Sequence, residues 1–319
     1  MTDDDPPSGA APTMDGPPLA LLTVTHESER ALKVLLDSVE RHLPAAEVVV
    51  VDCASLDGSA GVARHRRSVT TRTLDQNIGF GRACNIGLQD VRAPVTLLIN
   101  PDAELIDDSP LVLAAQSLRT DVPERLLAPL VLSPGGSRQD TVHPIPASPP
   151  DLARALVPPA FAPPWARPVL APWTSPSPRR VGWAVGCALA GRTATLRRLG
   201  PFDESIFLYA EDLELCLRAA EQGVETWFWP GARVLHYQTH SSSRAFGGEP
   251  FDRLARARHD VVARRLGMRR ARLDDASQAL TFASRILVKT LLGRTAARER
   301  QQLRALFRQL GPVTGPPRG

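Results

Sequence analysis

An apolar run, LLIN (97–100), stops at Asn100, turns on Pro101 and presents Asp102, with Glu104 two residues on. A carboxylate held by a proline turn at a strand end suits a hard divalent cation such as Mg2+ or Mn2+. Such an ion takes oxygen ligands, few of them from the protein and the rest from water and a diphosphate. A second acidic pair, Glu211 and Asp212, opens a helical stretch, FLYAEDLELCLRAAEQG (207–223). Negative charge there is favoured by the helix macrodipole alone, by roughly 0.3–1 kcal/mol. A carboxylate at that place is also positioned to act as general base toward a substrate hydroxyl. The third group is His236, which ends WFWPGARVLH (227–236) and is followed by His240 and three serines (241–243). An imidazole nitrogen could complete a metal site begun by Asp102.

In open α/β sheets the ligand lies beyond the carboxyl ends of the strands, so strand ends are where polar groups matter. Thr25 ends the first apolar run, Asp52 the second, with Ser55 and Asp57 just after it. A carboxylate after the second strand can accept hydrogen bonds from ribose hydroxyls or a base N–H; Asp57 has the alternative role of capping a helix that starts near Gly58. Neither a G-x-x-x-x-G-K-[ST] phosphate loop nor a G-x-G-x-x-G after the first strand occurs, which removes the usual marks of P-loop nucleotidases and dinucleotide dehydrogenases. The glycines lie instead in NIGFGRACNIG (77–87), which offers Asn77, Gly79 and Asn85 as polar or close-approach positions. A tight turn ahead of a helix reads the same way.

The elements that must position these groups follow from periodicity. Leu19–Thr25, 47–52 and 95–100 are short apolar runs that read as buried strands. Val69–Leu74 is a further strand, and helices are expected over 28–42, with Ser28 as N-cap, and over about 81–91. This alternation predicts an α/β fold with a mostly parallel central sheet flanked by helices. Residues 123–178 hold 15 of the chain's 30 prolines. Regular helix or central strand is therefore not expected over much of that stretch. Order resumes over 181–191, and beyond residue 251 the pattern is helical and arginine-rich.

Composition narrows the setting. The four cysteines (Cys53, Cys84, Cys187, Cys216) form no C-x-x-C pair, which speaks against a structural zinc site or a disulfide scaffold and suits a reducing cytoplasm. The acidic, Pro/Gly-rich segment 1–17 reads as a disordered tail and not as a secretion signal. No apolar run approaches the ~18–20 residues of a membrane span. Residues 251–319 carry 16 Lys and Arg against 5 Asp and Glu, whereas residues 1–250 carry 22 against 29. An acidic body with a basic helical extension is expected to meet phosphate-rich partners, an anionic membrane surface in particular. Interleaved aromatics of a nucleic-acid stacking surface are missing from 251–310, so no nucleic-acid partner is expected.

Taken in order, EVVVVDCASLDGSA, NIGFGRACNIGL, LLINPDAEL, GWAVGCALAGRTATLRRLGPFDESIFLYAEDLELCLRAAEQG and PGARVLH resemble the family 2 glycosyltransferases, and among them the bacterial rhamnosyltransferase-like branch. The resemblance implies a GT-A, Rossmann-like domain over 18–245 with an excursion at about 133–180, followed by a basic amphipathic extension over 246–319. It implies inverting, metal-dependent transfer of a sugar, rhamnose from dTDP-rhamnose being one candidate, from a nucleotide-diphosphate donor to a hydroxyl of a cell-envelope glycan or lipid-linked glycan. By the same resemblance Asp52 binds the nucleotide, Asp102 and His236 hold Mg2+ or Mn2+, and Asp212, beside Glu211, is the base. Trp183 and Gly186 border the sugar. The enzyme is then expected in the cytoplasm, peripheral at the inner face of the plasma membrane. Where the family has an aromatic residue and asparagine after the first strand this chain has His26 and Glu27, and Cys53 stands where asparagine is common. The alternative is a catalytically silent domain of the same fold that binds or scaffolds partners in envelope synthesis.

Overall fold

A computed structural model describes residues 18–66, 68–157, 161–238 and 250–310. The expected tail (1–17) and residues 240–243 lie outside these. The leucine- and valine-rich runs form β1 (Leu19–Thr25), β2 (Glu47–Cys53) and β4 (Val95–Ile99), buried almost throughout, while β3 (Val69–Leu74), at the sheet edge, is partly exposed. These four pair in parallel in the order β3-β2-β1-β4. Thr25 lies opposite Asp52, so β1 and β2 end level with one another. Helices α1 (Glu29–His42), α2 (Ser59–Arg64) and α3 (Phe80–Asp90) make the crossovers, α1 burying Leu32, Leu35, Leu36 and Val39 at helical spacing. Ser28 sits at the start of α1 but does not cap it: its hydroxyl donates to the His26 carbonyl (2.9 Å). Asp57 replaces it, accepting from the backbone N–H of Glu29 (2.9 Å) and of Ser59 (2.9 Å), and so fastens the starts of α1 and α2 together.

After β4 come β5 (Ala103–Leu105), α4 (Leu111–Ser117), β6 (Arg125–Leu132), β7 (Val142–His143), α5 (Pro149–Leu156) and α6 (Arg167–Leu170). They are followed by β8 (Arg179–Val181), β9 (Trp183–Ala184), β10 (Ala188–Arg192), α7 (Thr193–Leu199), α8 (Glu211–Glu221) and β11 (Glu225–His236). The sheet continues β4-β10-β6-β11-β5, with β8 also on β11. β10 is antiparallel to both neighbours, β6 and β11 are parallel, and β5 and β8 run antiparallel to β11. The fold is thus α/β around a mixed sheet whose first half is wholly parallel. β6 departs from the proline-based expectation, because it is a central strand that contains Pro129. The sheet tolerates the missing N–H there: β10 pairs only with Leu126 and Leu127, and the β11 register breaks between Trp229, opposite Pro129, and Arg233. Elsewhere the proline-rich stretch holds only short helices and the two-residue β7, which pairs with β9.

Three helices close the described chain: α9 (Phe251–Leu266), α10 (Met268–Leu291) and α11 (Ala297–Leu310). They are joined to the body by apolar and ionic contacts. Val261, Val262 and Ala271 belong to the same buried layer as Leu215, Phe228 and Trp183. Arg265 pairs with the fully buried Glu214 of α8, which Arg218 also holds (2.8 Å), and Arg264 pairs with Asp203 (2.7 Å). Losing a partner of a buried carboxylate costs about 3–5 kcal/mol, so α9 is firmly tied to α8. Among the described residues no helix is long and apolar enough to cross a membrane.

Candidate active site

A cavity of about 760 Å³ opens where β1, β2 and β4 end. The chain delivers Asp102 to it by a short turn. Asn100 donates its N–H to the Cys187 carbonyl (3.0 Å) and accepts that of Ala103 (3.2 Å), so Pro101 and Asp102 occupy the two corners. β5 then pairs with β11, Ala103 opposite His236, and the Tyr237 N–H donates to the Asp102 carbonyl (2.9 Å). Two residues far apart in sequence are thereby brought face to face: His236 Nε2 lies 3.1 Å from Asp102 Oδ1, both side chains largely buried. Glu104 takes no part; it pairs with the Tyr237 hydroxyl outside the cavity lining.

The orientation of the imidazole is set by Gln139. Its amide nitrogen donates to the His236 carbonyl (2.7 Å), so its oxygen faces His236 Nδ1 (3.1 Å) and also accepts from Gln238 (2.8 Å). With the ring proton on Nδ1, Nε2 presents a lone pair toward a carboxylate oxygen. Two acceptors at that distance fit a shared cation. Among the described residues no third His, Cys, Asp or Glu joins them. Asp102 and His236 would hold a metal here by two protein ligands, its other ligands coming from water and a bound diphosphate, as Mg2+ and Mn2+ sites often do.

The opposite wall carries Glu211 and Asp212. Tyr209 and Ala210 both have left-handed backbone (φ 72° and 63°) immediately before α8. That conformation costs non-glycine residues about 1–2 kcal/mol each and is found at sites where geometry is over-determined. The turn aims Asp212 at Gly186, whose N–H donates to Oδ2 (2.8 Å); Oδ1 accepts from Leu213 (2.7 Å). Burial pushes the Asp212 carboxyl above its ordinary range, against the opposing pull of those N–H groups. Burial, and next the Asp212 charge, push Glu211 up further; its Oε2 is buried with no hydrogen-bond partner among the described residues. Both carboxyls are thus raised, and as adjacent like charges they titrate as a pair.

The remaining candidates divide into two groups. Asn77, Gly79, Asn100, Trp183 and Gly186 line the cavity, with His26 and Cys53 at the ends of β1 and β2. Gly79 is obligatory: its φ is +88°, and a Cβ would collide with the Phe207 carbonyl oxygen. Thr25, Asp52, Ser55 and Asn85 lie outside the lining. Asn85 spends its amide on the backbone of Phe202, donating to its carbonyl (2.9 Å) and accepting its N–H (3.0 Å). Ser55 links two loops, accepting from Glu27 N–H (3.1 Å) and donating its own N–H to Asp52 Oδ2 (3.2 Å). Asp52 is fully buried; its Oδ1 and the Thr25 hydroxyl have no hydrogen-bond partner among the described residues. All four cysteines are buried and free, and burial pushes Cys53 up to about 11, which leaves it an unreactive thiol at neutral pH.

Sequence reasoning missed Gln139, which sits among prolines in a stretch read as irregular. It also missed Arg258, Leu254 and Arg298, which the helices α9 and α11 bring to the cavity. Arg258 was visible only as one charge in a basic run.

Two carboxylate-bearing walls and a histidine thus meet at one cavity beyond the ends of β1, β2 and β4. The Glycosyl transferase family 2 profile matches residues 21–123. N-acetylglucosaminyl-diphospho-decaprenol L-rhamnosyltransferase of Mycobacterium tuberculosis is 30% identical over 300 residues, which cover 85% of this chain and 92% of that protein. Rhamnosyltransferase WbbL of Escherichia coli is 34% identical over 71 residues, 22% of this chain and 26% of that protein. The fold is similar to that of mannosyltransferase PcManGT from Pyrobaculum calidifontis, solved with GDP-Man and Mn2+ (TM-score 0.56, 14% identity, 92% of this chain and 85% of that one). It is also similar to S. aureus TarS 1-349 with UDP-GlcNAc (TM-score 0.55, 15% identity, 90% and 79%). The chain belongs to glycosyltransferase family 2.

Proposed function

We propose that this glycosyltransferase moves rhamnose from a nucleotide-diphosphate donor, with inversion, to a hydroxyl of a lipid-linked glycan of the cell envelope. The observation that carries the reading is the convergence of Asp102, His236, Asp212 and Glu211 on one cavity. The name of the mycobacterial relative, of which the chain covers nearly the whole length, supports the choice of sugar and acceptor.

In this reading the nucleotide lies against the ends of β1 and β2, toward Asp52, and the donor sugar between Gly186 and Trp183. Asp212, held by the Gly186 and Leu213 N–H groups, takes the proton of the acceptor hydroxyl. The freed oxygen attacks the anomeric carbon from the face opposite the departing diphosphate, which inverts its configuration. Burial and the neighbouring Asp212 charge make Glu211 resist carrying a second negative charge in the pocket. A Mg2+ or Mn2+ ion on Asp102 and His236 neutralises charge on the leaving diphosphate when bound. Residues 251–310, basic and with exposed Leu287, Leu291, Leu292 and Phe307, would rest on an anionic membrane surface on the cytoplasmic side, where a lipid-linked acceptor is embedded.

The test is transfer from dTDP-rhamnose to a short-prenyl N-acetylglucosaminyl diphosphate, with and without Mn2+, the anomeric configuration of the product read by NMR. Metal-dependent, inverted product is expected. Retention of configuration, or transfer undiminished by chelation, would contradict the mechanism.

A further inference from the structure

Asp102 on one wall and Glu211 and Asp212 on the opposite one make the cavity acidic, and a donor diphosphate enters it only with its charge balanced by a cation. Another part of the lining is basic and comes from the carboxyl-terminal helices: Arg258 from α9 and Arg298 from α11, with the half-exposed Leu254 one turn before Arg258.

Arg258 is built in. Asp274 of α10 accepts from its Nε (2.8 Å) and Nη2 (2.8 Å), which leaves Nη1 uncommitted to that pair. The guanidinium lies over the Trp183 ring (5.5 Å to the centroid), and that indole is itself stacked with His143 (4.3 Å, 25°). The pairing with buried Asp274 balances the charge of Arg258 and holds its planar fork in one orientation. The metal-charged donor has no need of a second cationic wall; a second anion does.

We propose that Arg258 and Arg298 form the subsite for the diphosphate that joins the acceptor sugar to its lipid, with Leu254 beside the emerging hydrocarbon. This rests on the acceptor class argued above and gives it an address. It also accounts for the position of the basic helices: they turn one pair of arginines into the cavity that Asp212 also lines. The acceptor diphosphate then has arginines of its own and does not compete with the donor's for one cation.

The experiment uses the full chain and two acceptor probes with the same sugar: a short-prenyl N-acetylglucosaminyl diphosphate and the neutral octyl glycoside of N-acetylglucosamine. Binding of each, and of dTDP-rhamnose, is measured by calorimetry in wild type, Arg298→Ala and Arg258→Lys, followed by transfer kinetics. Loss of a charge-assisted hydrogen bond predicts a rise of about tenfold or more in Kd and KM for the diphosphate probe. In Arg298→Ala the Kd of the neutral probe and of the donor should stay near wild type. Arg298→Ala is the safer variant because it leaves the buried Arg258–Asp274 pair intact. Equal losses on both probes, a loss confined to the donor, or no change would each overturn the subsite. Wild type that transfers to neither probe would overturn the proposed reaction, whereas arginine-dependent binding of the diphosphate probe would still sustain the subsite.

Discussion

The two acidic walls of the cavity are made in different ways. Asp102 and His236 meet because two antiparallel strands pair in a fixed register, with Ala103 opposite His236. Their side chains are largely buried, and a neutral amide, Gln139, does the aiming. Glu211 and Asp212 are neighbours in sequence, presented by two left-handed residues at a helix start. The contrast matches the two tasks. A metal site wants ligands that exchange water and diphosphate, for which regular structure suffices. A base that must hold a raised pKa needs desolvation, and desolvation of two adjacent carboxyls has to be enforced by strained backbone and firm packing.

Removing the proposed base breaks the contrast most severely. Asp212→Asn keeps the shape and is expected to lower kcat by about 10²–10⁴-fold, with the donor Kd little changed. In wild type the acid limb of the kcat profile should lie above the ordinary carboxylate range, since burial raises Asp212; an acid limb near pH 4 would contradict that placement. On the metal side, Gln139→Ala removes the group that fixes His236. Such outer-shell losses typically cost about 10–100-fold in metal affinity, to be read as a shift in the Mn2+ concentration that supports half-maximal rate.

Smaller effects sharpen the comparison on stability. Glu211 is raised in the folded protein, so it stabilises the fold fully below its ordinary pKa and loses that contribution as pH rises toward the folded value. Glu211→Gln does not titrate. Its unfolding free energy should gain on wild type by at most about 1.4 kcal/mol per pH unit across that window, and a pH-independent difference in denaturant melts would refute the assignment. Ala210→Gly relieves left-handed strain and is expected to stabilise by about 1 kcal/mol, while loosening the aim of Asp212 and lowering kcat. No such gain is expected on the Asp102 side, where the turn is ordinary.

The same difference explains what the chain discloses before folding. β1 to β4, the helices between them, the NPD turn and the acidic pair are each written in contiguous residues, by apolar runs, helical spacing and turn chemistry. What joins them is not. Gln139 reaches His236 across 97 residues, and nothing local marks it. Pro129 argued against a central strand until the limited β10 pairing and the β11 bulge made room for it. Asn85 looked like Asn77 in a repeated NIG, yet one lines the cavity and the other pins the Phe202 backbone. Arg258 and Arg265 read alike as members of a basic face. Their separate uses, at the cavity and on the buried Glu214, depend on the docking of α9 against α8.

The central claim is that Asp102 and His236 hold a cation in the cavity into which Asp212 points. Anomalous diffraction at the manganese edge, from crystals soaked with Mn2+ and a nucleoside diphosphate, tests it directly. A single peak in coordination contact with Asp102 carboxylate and His236 Nε2, and with the diphosphate, is the predicted result. A peak bound elsewhere, or a diphosphate seated without metal between those two side chains, would contradict it.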